Sequence, residues 1–162
     1  MTAMIDQAIV LRKQGAFDQA ITLLQEASQV SNDFGRAMLH IVWCHDAQGE
    51  EREAIPFYKK ALEGRLPKTE RFDCLLGLAS SLRCLGCYEE ADSFVRIAKN
   101  EYPDNEELLP FYAMNLYNLG KGSDAVSILL KLLVSSTSSE SIKAYKEAIE
   151  LYASDLEKTG YD

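Results

Sequence analysis

The sequence of 162 residues has few cysteines, a single tryptophan and no long apolar run. Its four cysteines, Cys44, Cys74, Cys84 and Cys87, are too sparse for the disulfide framework of a small secreted protein, and they fit a reducing compartment. The longest apolar stretch, SILLKLLV, is too short to span a bilayer, and no basic leader precedes the first apolar residues. We therefore expect a soluble, cytoplasmic protein that has no membrane partner.

The sequence also has fewer basic than acidic residues. The chain carries 17 lysines and arginines against 25 acidic residues, which gives a formal net charge of −8. Most of its surface would repel a phosphate backbone, so we expect no nucleic-acid partner. A hydrophobic content of 47% excludes disorder, and the length suits one compact domain or one short repeat array.

Residue patterns typical of an active site are missing as well. The sequence has no glycine-rich phosphate loop, no nucleophile elbow and no Ser-His-Asp order. Paired carboxylates such as Glu50-Glu51 and Glu89-Glu90 follow predicted turns, where the dipole of a starting helix stabilises negative charge. We expect a protein that is not an enzyme and needs no cofactor.

The sequence does contain an internal repeat. A Gly-x-aromatic-x-x-Ala motif begins at Gly15 and again at Gly86, and looser copies without the aromatic residue begin at Gly49 and Gly120. These glycines are 34, 37 and 34 residues apart, a period typical of stacked helical repeats. The three additional residues fall near the stretch GRLPKTE, which predicts a longer loop or an extra turn of helix.

Helical periodicity and small residues accompany each glycine. Apolar residues recur at helical spacing on both sides, so each repeat is predicted to be two helices around a tight turn. Small residues recur at fixed offsets, and we predict that they are buried where helices approach closely. They are Ala8, Val42, Ala79 and Ala113 before the glycines, and Ala20, Ala54, Ala91, Ala125, Ala27, Ala61 and Ala98 after them.

This pattern resembles the tetratricopeptide repeat family. The resemblance covers about residues 1–138, although the consensus tryptophan is missing from every copy. It implies one all-α domain, an α-solenoid of four helix-turn-helix repeats that forms a short right-handed superhelix. The expected repeats are about 1–34, 35–68, 72–105 and 106–138. An amphipathic stripe from Ile142 to Leu156 predicts one further helix, about 139–158, that caps the end of the stack.

The family resemblance also implies a binding groove. In this family the first helix of each repeat lines a concave face, at positions ten, six and three before the turn glycine. The face implied by these offsets is apolar with a few cations, and Arg36 lies at its edge. The expected groove residues are Ile5, Ile9, Arg12, Arg36, Leu39, Trp43, Leu76, Arg83, Met114 and Tyr117. The carboxylate clamp of chaperone-binding members is absent, because isoleucines occupy the first-repeat positions.

Trp43 is the central residue of this expected groove. Its offset makes it a candidate binding anchor, but an aromatic residue packed inside the stack would give the same pattern. The resemblance implies a scaffold that binds an apolar or amphipathic segment of a protein or peptide, with Arg12, Arg36 and Arg83 pairing with its acidic residues. A homo-oligomer that buries the same groove is the main alternative.

Two small groups of residues raise the possibility of thiol or metal chemistry. Cys84 and Cys87 form a Cys-x-x-Cys motif around Gly86, but no second ligand pair completes a tetrahedral zinc site. His40 and Cys44 are four residues apart on one predicted helix and also lack further ligands. We predict that Cys84 and Cys87 are turn residues and that no metal is bound. A thiol or metal sensor is the least favoured alternative.

Overall fold

The computed structural model describes residues 2–30 and 32–160, and within these ranges the chain forms helices joined by short turns and loops, without a strand. The described residues form ten helices, which are α1 (Thr2–Lys13), α2 (Phe17–Ala27), α3 (Phe34–Asp46), α4 (Glu51–Glu63), α5 (Lys68–Cys84), α6 (Tyr88–Glu101), α7 (Leu108–Asn118), α8 (Gly122–Ser136), α9 (Glu140–Lys143) and α10 (Lys146–Ser154). The predicted all-α class is confirmed, and the succession of helix pairs is that of a tetratricopeptide-type α-solenoid.

The same turn follows α1, α3, α5 and α7. The four predicted glycines, Gly15, Gly49, Gly86 and Gly120, have φ between 71° and 80°, a left-handed conformation that glycine adopts without a steric cost. The backbone amide of the residue after each glycine donates to the carbonyl oxygen of the residue four positions before that glycine. At Gly15, for example, Ala16 donates to Leu11 at 2.9 Å. The equivalent bonds are Glu50 to His45, Cys87 to Leu82 and Lys121 to Leu116, at 2.9–3.0 Å. These are the hydrogen bonds of the Schellman motif, and they end each first helix in the same way.

The small residues that recur around these turns are all buried. Each of the alanines predicted to pack between helices is at most 4% exposed, and Val42 is completely buried. Because a small side chain allows two helix backbones to approach closely, these positions set the spacing between neighbouring helices.

The chain divides into two compact units, residues 1–87 and 88–162. In the first unit α1 packs on α2, α3 on α4, and α2 and α4 each pack on the first helix that follows. Tyr58 on α4 is buried and donates its hydroxyl to Asp46 at the end of α3, at 2.7 Å. Gly77 on α5 leaves the space that the Tyr58 ring fills.

The second unit is built from α6 to α10. Its core contains Ala113, Leu116 and Ala125, where α7 packs on α8. The buried amide of Asn115 donates to the carbonyl oxygen of Tyr88 at 3.0 Å and so ties α7 to the start of α6. Helix α10 packs against α8.

The structure decides between the two expectations for the longer second interval, and it differs from the expectation for the C-terminal helix. The three additional residues of the second interval extend α5, which has 17 residues against 13 in α3, so they form an extra turn of helix. The helix begins at Lys68, directly after Pro67. The predicted single C-terminal helix is two helices, α9 and α10, with a break at Ala144 and Tyr145.

No helix in the described part of the chain is both long and apolar enough to cross a membrane.

Candidate functional site

The first unit presents three of the predicted groove helices, α1, α3 and α5. Six expected residues on these helices are partly buried and keep part of their side chains accessible. They are Ile9, Arg12, Arg36, Trp43, Leu76 and Arg83.

Ile5 and Leu39 differ from the expectation. Both are completely buried, so their side chains cannot line an accessible groove. Helices α1 and α3 pack against each other, and these two side chains contribute to the interior of the unit. On α1 and α3, the residue ten positions before the turn glycine therefore lies on the side of the helix that packs against its neighbours. Leu76, at the same offset on α5, is partly exposed.

Trp43 lies between two other side chains of the face. The guanidinium carbon of Arg12, on α1, lies 5.2 Å from the centre of the Trp43 ring on α3. The ring of His40, one helical turn before Trp43, meets it edge to face at a centroid distance of 4.7 Å. A cation over the face of tryptophan is attracted by the negative potential of the ring. These contacts fix Trp43 at a surface where it is neither core nor fully exposed.

His40 is buried beneath this surface. It is 4% exposed, and among the described residues neither of its ring nitrogens has a hydrogen-bond partner. Burial, together with the positive charges of Arg12 and Arg36, lowers the pKa of His40 from 6.5 to about 4. The ring is therefore neutral at physiological pH, and both arginines direct positive potential to the same place.

Arg36 and Arg12 have different environments. The Arg36 side chain forms a forked ion pair with Glu70 on α5, with nitrogen-to-oxygen distances of 3.1 to 3.3 Å. In the described part of the chain no carboxylate pairs with Arg12, which has the Trp43 ring as its neighbour. The charge of Arg36 is thus compensated by Glu70, and no carboxylate among the described residues does the same for Arg12.

The second unit contributes the remaining two expected residues. Met114 and Tyr117 lie three residues apart on α7 and are 39% and 72% exposed. Residues three apart share one face of a helix, so these two side chains form an accessible apolar pair.

The family model described as Tetratrico peptide repeat matches residues 35–156, which is more than half of the chain. The chain belongs to the tetratricopeptide repeat family. Members of this family are generally protein–protein interaction scaffolds with no catalytic role. A search of curated proteins finds no match to this tetratricopeptide repeat protein.

The cysteine and histidine groups of this tetratricopeptide repeat protein lie at structurally ordinary positions. Cys84 is the last residue of α5 and Cys87 follows Gly86, so both belong to the third turn, and both are exposed free thiols. Burial raises the pKa of the Cys44 thiol, which keeps the sulfur protonated and makes it a poor metal ligand. Within residues 2–30 and 32–160, no three His, Cys, Asp or Glu side chains are grouped so that they could hold a metal.

Two clefts of this tetratricopeptide repeat protein were not predicted from the sequence. One, of about 500 Å³, lies in the first unit among α2, α3 and α4. The other, of about 450 Å³, lies in the second unit and is lined by Leu109, Ile128, Lys131, Leu132, Ser135, Glu150 and Ser154. The run SILLKLLV on α8 was a possible signal for the second cleft, because it contains more apolar residues than one packed face of a helix can bury.

Proposed function

We propose that this protein is a non-catalytic module that binds an apolar or amphipathic segment of a partner protein or peptide. The binding surface is the face formed by α1, α3 and α5 in the first unit, with Trp43 as its main anchor. We call this surface the Trp43 face and define it by Ile9, Arg12, Trp43, Leu76 and Arg83.

The environment of Trp43 is the observation that supports this proposal. Its ring is held by Arg12 on one side and by His40 at its edge, yet part of the side chain stays accessible. A rigid aromatic side chain that is partly exposed at a helix face loses little conformational entropy when a partner covers it. Such residues contribute disproportionately to binding energy in protein interfaces.

In the second unit, Met114 and Tyr117 are the candidates for a further contact. They lie at the family's groove offsets on α7, and both side chains are exposed. We propose that they bind part of the same class of ligand. The four free cysteines suit a reducing compartment, and we propose a cytoplasmic location on that basis.

A selection from a random peptide library tests this function. Peptides selected on the wild-type protein should lose at least about tenfold in affinity for Trp43→Ala, equivalent to 1.4 kcal/mol. Phe57→Ala is the matched control, because Phe57 is also a partly buried aromatic residue but lies on α4, beside His45. Helical circular dichroism should be unchanged in both variants.

Three other outcomes would contradict the proposal. Equal affinity of wild type and Trp43→Ala for every selected peptide would show that Trp43 is no anchor. Loss of helical structure in Trp43→Ala would assign Trp43 to the core. If light scattering instead showed a wild-type dimer that Trp43→Ala converts into a monomer, the Trp43 face would serve self-association.

A further inference from the structure

The geometry points to an acidic segment as the partner of the Trp43 face: we propose that a carboxylate side chain of a protein or peptide ligand pairs with Arg12 while an adjacent apolar side chain covers Trp43. This inference rests on the proposed binding function and deepens it, because it assigns the charge of the ligand and the residue that recognises it.

The contrast between two arginines is the first argument. Arg36 already has a forked pair with Glu70, whereas no carboxylate in the described part of the chain reaches Arg12. The protein carries 25 acidic residues, so the lack of a partner for Arg12 does not reflect a shortage of carboxylates. A carboxylate supplied by a ligand would complete at Arg12 the kind of pair that Glu70 completes at Arg36.

His40 provides a second, independent observation. Its buried ring has no hydrogen-bond partner on either nitrogen among the described residues, although buried polar atoms in proteins nearly always have one. Arg12 and Arg36 both oppose its protonation, so both direct positive potential to the interior behind Trp43. A ligand carboxylate at Arg12 would lower this potential.

The apolar surroundings favour a peptide segment over other anions. Arg12 stacks on an aromatic ring, and the partly buried side chains of Ile9 on α1 and Leu76 on α5 belong to the same Trp43 face. A ligand that fits must therefore carry apolar groups beside its negative charge. A long polyanion such as a nucleic acid would meet a protein with a net charge of −8 outside this small cationic region.

Two synthetic helical peptides provide the test. Both carry leucine along one face, and the opposite face carries glutamate in one peptide and lysine in the other; neither contains an aromatic residue. Because Trp43 is the only tryptophan of the protein, a change in its fluorescence reports binding near this residue. Titration calorimetry then measures the affinity of each peptide for the full-length chain.

We expect the glutamate peptide to bind at least about tenfold more tightly than the lysine peptide and to change the Trp43 fluorescence. Arg12→Gln should reduce its affinity at least about tenfold, and Arg12→Lys, which keeps the charge, should retain much of the preference. Lys13→Gln is the matched control: it removes the same charge one residue away, at an exposed position, and should change the affinity less than about twofold.

The inference would be overturned if the lysine peptide bound as tightly as the glutamate peptide, or if Arg12→Gln and Lys13→Gln had equal effects. Arg12→Lys decides the matter if Arg12→Gln does not fold, since loss of the glutamate preference in that variant would also overturn it. Failure of this inference is distinguishable from failure of the proposed function. If only the charge assignment is wrong, peptides selected from the library still depend on Trp43; if the function is wrong, they do not.

Discussion

Tyr58 and Asp46 join the two helices of the second pair through a hydrogen bond of 2.7 Å between the phenol hydroxyl and the carboxylate. The same buried ring lies against Gly77 on α5, where an added Cβ would collide with the tyrosine oxygen and ring carbons. One side chain thus holds three helices, and its position depends on both neighbours.

Gly77→Ala should therefore destabilise the protein by about 1–3 kcal/mol, because the new methyl group overpacks the Tyr58 ring. This is opposite to the effect of helix propensity, by which alanine is more favourable than glycine by about 1 kcal/mol. Urea unfolding measures the change. When Gly77→Ala is introduced into the Tyr58→Leu variant, it should reduce the free energy of unfolding by less than it does in the wild type. An equal reduction in both proteins would show that the added methyl group does not collide with Tyr58.

The pH dependence of stability should contain a contribution from His40. Its folded-state pKa is lowered from 6.5 to about 4, so between these values the unfolded chain binds a proton that the folded chain does not. Stability should fall as the pH drops through this interval, by up to about 3 kcal/mol. Urea unfolding between neutral pH and pH 4 would measure this.

The second histidine provides the control for this experiment. His45→Gln should keep the fall in stability, whereas His40→Leu should remove the part of it that belongs to His40. Since the chain contains only these two histidines, a dependence that is identical in wild type and His40→Leu must come from His45 or from carboxylates and would contradict the prediction.

Ala91→Leu should destabilise the second unit by about 1–3 kcal/mol, because Ala91 is completely buried at one of the recurring small-residue positions. The midpoint of chemical denaturation measures the effect. Ala144→Leu is a suitable comparison, since Ala144 is exposed at the break between α9 and α10 and should tolerate the larger side chain. An unchanged midpoint in Ala91→Leu would show that the helices can separate without cost.

Removal of residues from Ser139 onward should lower the melting temperature or cause aggregation. Helix α10 packs on α8, and its loss would uncover Ile128 and Leu132, which are partly buried. Leu129 and Leu133 are already exposed and would be little affected. Thermal melting and size-exclusion chromatography of the truncated protein test this, and a monomer of undiminished stability would mean that α9 and α10 are a dispensable tail.

The turn cysteines should be dispensable for folding. Cys84→Ser combined with Cys87→Ser should change the free energy of unfolding by less than about 1 kcal/mol, because both thiols are exposed and neither forms a disulfide. Thiol titration and metal analysis of the wild type complete the test. Stoichiometric zinc that disappears in the double variant would support the sensor interpretation instead.

The sequence predicted the features of the fold that depend on local chemistry. A left-handed turn requires glycine, and the four turn glycines were identifiable from their spacing. Small buried residues recur because the helices of every repeat approach each other closely at the same positions. These residues too were identifiable from their constant offsets from the turn glycines. The C-terminal stripe was less informative. Tyr145 and Tyr152 belong to it but are exposed, because periodicity identifies a face without showing whether another helix covers it.

The candidate site was only partly predictable for a related reason. Ile9 and Trp43 keep accessible surface, whereas Ile5 and Leu39 do not, and a modest rotation of a helix is enough to exchange an open position for a packed one. The stacking of Arg12 on Trp43 joins residues that are far apart in the sequence and belong to different helix pairs. No local pattern marks such a contact, since it depends on how α1 and α3 are oriented.

The extra turn at the start of α5 shows how a change of length in a repeat protein can act as a change of charge. Lys68, Thr69 and Glu70 are the three residues by which α5 begins earlier, relative to its turn glycine, than α3 does. The third of them neutralises Arg36 on α3. Without this helical extension Arg36 would lose the carboxylate that pairs with it, and the first unit would then carry a second uncompensated arginine on the helices of the Trp43 face. Insertion of a single helical turn can therefore alter the ligand preference of a repeat face while every turn and every packing position stays as it was.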